Sequence, residues 1–333
     1  MVRSLKFDSL FITTVGVSST VVAVVLYYAL GAPHVSPFLW LLLVVGFDVS
    51  HVYSTTFRTY FNWKKSGALK TILIVVPILS FLSALLLASL SIKLFWTALV
   101  YVAVFHFARQ QIGFLRIYTQ PENRSAWTHF ANEFFIYIFT LGSIFVWHLQ
   151  GHKTFNWFTA DDFYYLQKFS YLIPTVNFVI LASLVACVIL NCFTMMKKKV
   201  SVHSFLILIS TFVSWYFPIV YFNSDFVFTM ANVLAHAIPY LAVVWAFEKK
   251  RNSIFKSLQV FFPILFMAAF LEEALWDSLV WREHTLFFES FYFLPQLKEN
   301  SLVMAFTLAL LICPQLTHYV LDGFIWKRKY MEY

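Results

Sequence analysis

Long apolar runs alternate with short polar segments along the whole chain. A helix that crosses a membrane needs about 20 predominantly apolar residues at a rise of about 1.5 Å each. Ten runs reach that length, so we expect an all-α bundle in which each run forms one transmembrane helix. Their approximate bounds are 10–31, 37–57, 70–90, 94–115, 129–149, 170–193, 203–222, 226–247, 254–275 and 302–326.

The overall composition supports this interpretation. Hydrophobic residues make up 60% of the 333 positions and charged residues only 12%, with a mean hydropathy of +0.74. An average soluble domain carries about 25% charged residues, so most of the outer surface of this protein has to face lipid. The sequence therefore predicts a multi-pass integral membrane protein (inner or plasma membrane if bacterial), with residues 1–333 forming one transmembrane domain.

The net charge of +8 comes from short basic loops and not from a folded basic domain. Basic residues accumulate in alternate loops, as the positive-inside rule describes for cytoplasmic segments. We therefore expect both termini in the cytoplasm and no binding of nucleic acid. The segments assigned to the cytoplasm carry basic residues within 58–70, 116–124, 197–199, 249–251 and 327–329.

Four histidines fall inside four different apolar runs: His51, His106, His236 and His318. Ionisable groups at membrane depth are costly and usually have a function. All four predicted helices run from the outside inward, and counting from the basic loops places the imidazoles in the inner half of the membrane. Imidazole binds Fe, Zn, Cu and Ni, so this arrangement is a candidate metal site in the core of a helix bundle.

Each of these histidines has a polar residue about one helical turn away. At spacings of three or four residues, such side chains share one helix face. A histidine that binds a metal usually donates its second ring N–H to a neighbouring polar group, which fixes the orientation of the ring. We expect that orienting role for Asp48, Gln110, Asn232 and Asp322.

Three further polar residues leave alternatives open. His129 and Glu133 form an i, i+4 pair near the inner end of the fifth run; the pair either approaches the same site or lies near the lipid headgroups. Arg109 follows His106 by one turn. It either extends to the inner membrane surface or binds an anionic group beside the metal.

Two of the histidine segments resemble a known family. The segment from His236 to Trp245 (HAIPYLAVVW) and the segment from His318 to Lys327 (HYVLDGFIWK) are similar to those of the bacterial and archaeal Brp/Blh family, the retinal-forming β-carotene dioxygenases. His51 and the His106–Phe107 pair match two further segments more loosely. The resemblance implies a polytopic protein in which these histidines hold non-haem iron. Tyr240 stands where the family has a second histidine.

Together these features lead to one main hypothesis and two alternatives. The main hypothesis is a membrane oxygenase or oxidase that binds Fe(II), with zinc or a second metal not excluded, and uses O2 on a lipophilic substrate such as a carotenoid taken from the bilayer lipid. Tyr240 would line the open coordination position. The first alternative is a proton- or ion-coupled transporter that uses the same buried groups. The second is a structural subunit whose histidines only link helices.

Overall fold

The computed structural model describes residues 2–31, 33–65, 67–119, 126–197, 201–251, 257–298 and 301–326. It is 85% helical, and no strand occurs among the described residues. The predicted all-α class is therefore confirmed. Parts of the basic segments, including residues 120–125, 198–199 and 327–329, lie outside the described residues.

Nine helices within the described ranges are long and apolar enough to cross a membrane. A tenth crossing is formed if Leu5–Thr13 and the helix Val15–Ala29 (α1), which meet at a 55° bend, act as one span. This agrees with the ten predicted runs. The nine are Pro37–Arg58 (α2), Lys70–Leu90 (α3), Ile92–Thr119 (α4), Ala126–Gln150 (α5), Gln167–Met196 (α6), Val202–Tyr221 (α7), Asp225–Lys250 (α8), Leu258–Trp281 (α9) and Leu302–Ile325 (α10).

One helix boundary differs clearly from the prediction. The ninth run was expected to end at residue 275, but α9 continues to Trp281 and carries Glu272 and Glu273 inside it. Glu272 is tolerated there because its carboxylate accepts hydrogen bonds from the Tyr53 hydroxyl and from the Trp276 indole N–H. Residues 254–256 of the predicted run lie outside the described residues.

The chain divides into two compact units. The first comprises residues 1–35 and 100–243, and small or polar residues join its helices. Gly16 of α1 lies so close to α7 that a Cβ there would be 2.7 Å from the Ser210 carbonyl oxygen. Asn132 of α5 and Asn191 of α6 exchange side-chain hydrogen bonds of 2.9 and 3.3 Å. Small residues and interhelical amide bonds are how helices associate where lipid removes the hydrophobic driving force.

The loop that follows α5 packs back onto this first unit. The side chains of Phe155 and Phe163 are buried against Trp147. One oxygen of Asp162 accepts the backbone N–H groups of residues 157, 158 and 159. This carboxylate satisfies three backbone donors that the tight loop leaves without helical partners.

The second unit comprises residues 36–99 and 244–333. Its α3 and α10 pack along each other through Leu73, Val76 and Leu321. Pro77 lies inside α3 and has no N–H to donate to the Leu73 carbonyl one turn earlier. The Tyr60 hydroxyl donates to that carbonyl instead, at 2.8 Å.

A buried ion pair lies within this unit, at the end of α2. Arg58, at the end of α2, lies 3.4 Å from the carboxylate of Glu248, and both side chains are almost fully buried. The guanidinium also lies 5.3 Å from the ring centres of Phe247 and Trp326. Arg58 was expected in a cytoplasmic loop, but its charge is held inside the protein by a carboxylate and two aromatic rings.

Candidate metal site

His51 follows a stretch of α2 that is wound as a π-helix. The π-helical segment covers Leu41–Val49, immediately before the turn that carries His51. The Ser50 hydroxyl donates to the Val45 carbonyl, five residues earlier, at 2.7 Å. A π-helical insertion changes the direction in which the following side chains point, and such insertions are frequent at functional sites.

His51 of α2 and His318 of α10 form the first histidine pair. Their ring centres lie 4.8 Å apart with the rings nearly perpendicular, at 79°. Nδ1 of His318 lies 2.7 Å from the Thr55 hydroxyl oxygen. Because this hydrogen bond occupies Nδ1, Nε2 is the nitrogen of His318 that remains for a metal.

His106 of α4 and His236 of α8 form the second pair. Their ring centres lie 5.4 Å apart, again at 79°. The Phe107 ring stacks on His236 with 3.5 Å between ring centres and 5° between planes. Stacking of this kind restricts the rotation of the imidazole and so orients its nitrogens. Both histidines are buried.

All four histidines belong to one group. Each offers one ring nitrogen, and the four nitrogens lie within 4.8 Å of one another. Two nitrogens on opposite sides of one ion lie about 4.2 Å apart when metal–nitrogen bonds are about 2.1 Å. The four nitrogens are therefore near the separation at which one cation could bind them. The side chains present fit a metal ion bound by nitrogen ligands.

The predicted orienting residues have different positions in the structure. Oδ1 of Asp48 lies 3.6 Å from Nδ1 of His51, and Oδ1 of Asp322 lies 3.7 Å from Nδ1 of His318. Both distances exceed those of a hydrogen bond, so each carboxyl group lies beside its histidine without a direct bond from Oδ1 to that ring nitrogen. Thr55, which the sequence analysis did not select, makes the direct hydrogen bond to His318. The signal for it was its place on α2, one turn after His51.

The side-chain amides of Gln110 and Asn232 differ in their hydrogen bonds. The side chain of Gln110 is buried, and neither of its amide atoms hydrogen-bonds to another described residue. Asn232 donates its amide N–H to the Ser214 carbonyl at 3.2 Å, which links α8 to α7. The contact of Asn232 thus supports the helix that carries His236, and the expected orienting bond to that histidine stays a prediction.

Two of the remaining candidates point elsewhere. Arg109 is exposed on α4 and donates to the Tyr137 hydroxyl at 3.2 Å. Both of its predicted roles, at the inner membrane surface or on an anionic group, stay predictions. Glu133 accepts two hydrogen bonds from Arg116, at 2.6 and 2.9 Å. Its carboxylate is therefore committed to an ion pair between α5 and α4. His129 is half-buried one turn before it.

Tyr240 lies one turn after His236 on α8, and its side chain is 1% exposed. Tyr240 is therefore an interior residue close to a candidate ligand along α8, and its role at the open coordination position stays a prediction. Comparison of the chain with protein-family models, with curated proteins and with solved structures found no match. What is established is a membrane-type helical protein with four buried histidines at metal-binding distance.

Proposed function

We propose that the protein is a membrane-embedded non-haem iron oxygenase that acts on a lipophilic substrate. The observation that carries the proposal is the convergence of four buried imidazole nitrogens within 4.8 Å. Buried polar groups in a membrane protein mark functional pathways or sites. A set of nitrogen donors without thiolate is typical of iron, zinc, copper and nickel sites.

Iron is proposed because the histidine segments resemble those of the Brp/Blh family. When bound, Fe(II) supplies the electrons and open coordination positions that O2 requires to react with a hydrocarbon. The protein's own residues supply the rest. Thr55 holds the tautomer of His318, Phe107 fixes the ring of His236, and Asp48 lies beside Nδ1 of His51.

Elemental analysis of protein purified in detergent tests the proposal. We expect close to one iron per chain in the unaltered protein and a large loss in His51→Ala, His106→Ala, His236→Ala and His318→Ala. His148→Ala is a matched control, since His148 is also buried but bonds to Tyr101 and to the Ile144 carbonyl. Its iron content should match that of the unaltered protein. Equal metal content in all five variants would contradict the proposal.

The same variants separate the alternatives. A transporter would show flux into liposomes that depends on His236, with or without metal. A structural role would lower the thermal stability of the histidine variants and leave metal content unchanged. An iron enzyme requires that O2 consumption with a carotenoid or another lipid fall together with iron content.

A further inference from the structure

A cavity of about 330 Å³ lies beside His318 within the second unit. Its wall is formed by segments of α2, α3 and α10, with Tyr60 after the end of α2. The residues that line it include His318, Thr55, Leu310 and Pro77. The cavity was not used to identify the histidine site or to propose the reaction. Its shape and lining are therefore independent evidence about which ligand binds beside His318.

The polar side chains in the cavity wall are already hydrogen-bonded within the protein. The Tyr53 hydroxyl donates to Glu272, and the Thr56 hydroxyl donates to the Tyr53 carbonyl at 2.6 Å. The Thr55 hydroxyl is bonded to His318. These bonds leave mainly methyl and ring carbon atoms to face the cavity, so a polar ligand would find few free partners there.

The other polar groups in the wall follow the same pattern. The Tyr60 hydroxyl is committed to the carbonyl that Pro77 leaves free, and the Cys313 thiol donates to the Pro77 carbonyl at 3.4 Å. Pro314 adds a second proline to the wall, on α10. A concave, mostly apolar surface with its polar groups satisfied binds apolar ligands.

One residue of the cavity wall, Leu310, lies near the middle of a helix long enough to span a membrane. Leu310 is 56% exposed on the outer face of α10. It is the ninth of the 24 residues of that helix, about 5 Å from the helix midpoint at 1.5 Å per residue. His318 is eight residues further on, about 12 Å along the helix axis. An opening near the bilayer midplane meets hydrocarbon and not headgroups.

We infer that this cavity admits one hydrocarbon chain of a membrane lipid, which enters from the bilayer beside Leu310 and ends next to His318. Small-molecule sites have volumes of about 300–1,000 Å³, so 330 Å³ takes one slender chain and not a whole two-chain lipid. The inference depends on the proposed function only if the bound hydrocarbon chain is also the substrate of the enzyme. Binding of the chain itself does not require metal.

Photo-crosslinking tests the inference. The full-length protein is placed in nanodiscs that contain phosphatidylcholine with a diazirine at the end of one acyl chain, irradiated, and digested for mass spectrometry. We expect adducts on the cavity segments 52–56 and 313–317, in addition to those on lipid-facing residues such as Leu310, Phe178 and Leu86. Adducts confined to the lipid-facing residues would overturn the inference, whatever the metal content.

A variant with a larger side chain in the cavity wall provides the second test. Leu310→Trp should reduce adducts on segment 52–56 by about tenfold, which corresponds to about 1.4 kcal/mol of lost binding free energy. Val303→Trp is the matched control, because Val303 lies two turns earlier on the same face, is 61% exposed and does not line the cavity. Equal labelling of segment 52–56 in both variants would contradict the inference.

The two proposals fail separately in these samples. Iron content is measured on the same preparations. Iron without cavity adducts would retain the metal site and remove the lipid-chain site. Cavity adducts without iron would retain the lipid-chain site and remove the metal site, since the hydrocarbon chain would still bind beside His318.

Discussion

Thr55 and His318 are 263 residues apart in the sequence, yet the hydroxyl of one lies 2.7 Å from Nδ1 of the other. The bond joins α2 to α10 and occupies Nδ1 of His318, so a metal would bind at Nε2. In metal sites such supporting bonds are worth about 10–100-fold in affinity. Thr55 therefore supports the candidate site by orienting His318, although its hydroxyl bonds to the histidine and not to a metal.

Removing that hydroxyl should weaken metal binding without removing a ligand. For Thr55→Val we expect about 10–100-fold lower metal affinity, measured by competition with a chelator of known affinity. Thr56→Val is the control, because the Thr56 hydroxyl bonds only to a carbonyl of its own helix. If both variants held metal as tightly as the unaltered protein, the orienting role of Thr55 would be wrong.

The ion pair between Glu133 and Arg116 should have little to do with the metal. The Arg116 side chain is 50% exposed, and exposed ion pairs contribute no more than about 1 kcal/mol. Glu133→Gln should therefore keep the metal content and change thermal stability only slightly. Loss of metal in this variant would instead support the sequence-based hypothesis that Glu133 reaches the site.

The buried pair of Arg58 and Glu248 should matter much more for stability. Removing one partner of a buried ion pair costs about 3–5 kcal/mol, whereas replacing both with apolar residues costs far less. We expect Arg58→Leu to unfold at a clearly lower temperature, and the double variant Arg58→Leu, Glu248→Leu to recover much of the loss. Thermal unfolding in detergent, followed by circular dichroism, provides the measurement. A double variant less stable than Arg58→Leu would contradict this account.

The loop after α5 should depend on Asp162. Its carboxylate accepts three backbone N–H groups at 2.8–3.3 Å, and hydrogen bonds to charged groups contribute about 1.5–3 kcal/mol each. Asp162→Ala should open the loop and make residues 151–166 sensitive to protease. Asp161→Asn is the control, since the Asp161 carboxylate pairs with the exposed His152 and asparagine tolerates the left-handed backbone at this position, φ 61°. Equal cleavage rates in the two variants would refute the capping role.

The helices and the four histidines were predictable from local sequence. A long apolar run has few alternatives to a membrane-spanning helix, because lipid offers no partners for exposed backbone groups. A histidine within such a run is costly enough to stand out. That reasoning selected His51, His106, His236 and His318, and the structure brings all four within 4.8 Å of one another.

The partners of these histidines were less predictable. Sequence spacing correctly placed Asp48 and Asp322 near their histidines, since three or four residues along a helix is a fixed distance. Spacing could not show that Glu133 pairs with Arg116, or that Asn232 bonds to α7. Those contacts depend on how neighbouring helices are rotated and packed. Local sequence patterns do not determine that arrangement.

The sequence by itself determined that the chain is a bundle of apolar helices with imidazoles buried in four of them. Only the tertiary structure decided that Thr55 holds His318, that Arg58 is neutralised by Glu248, and that two prolines line a cavity beside the site. The physical reason is that the composition of each run determines whether it enters the membrane as a helix. The direction of each side chain also depends on helix rotation, on the π-helical turn before His51 and on packing between helices distant in sequence.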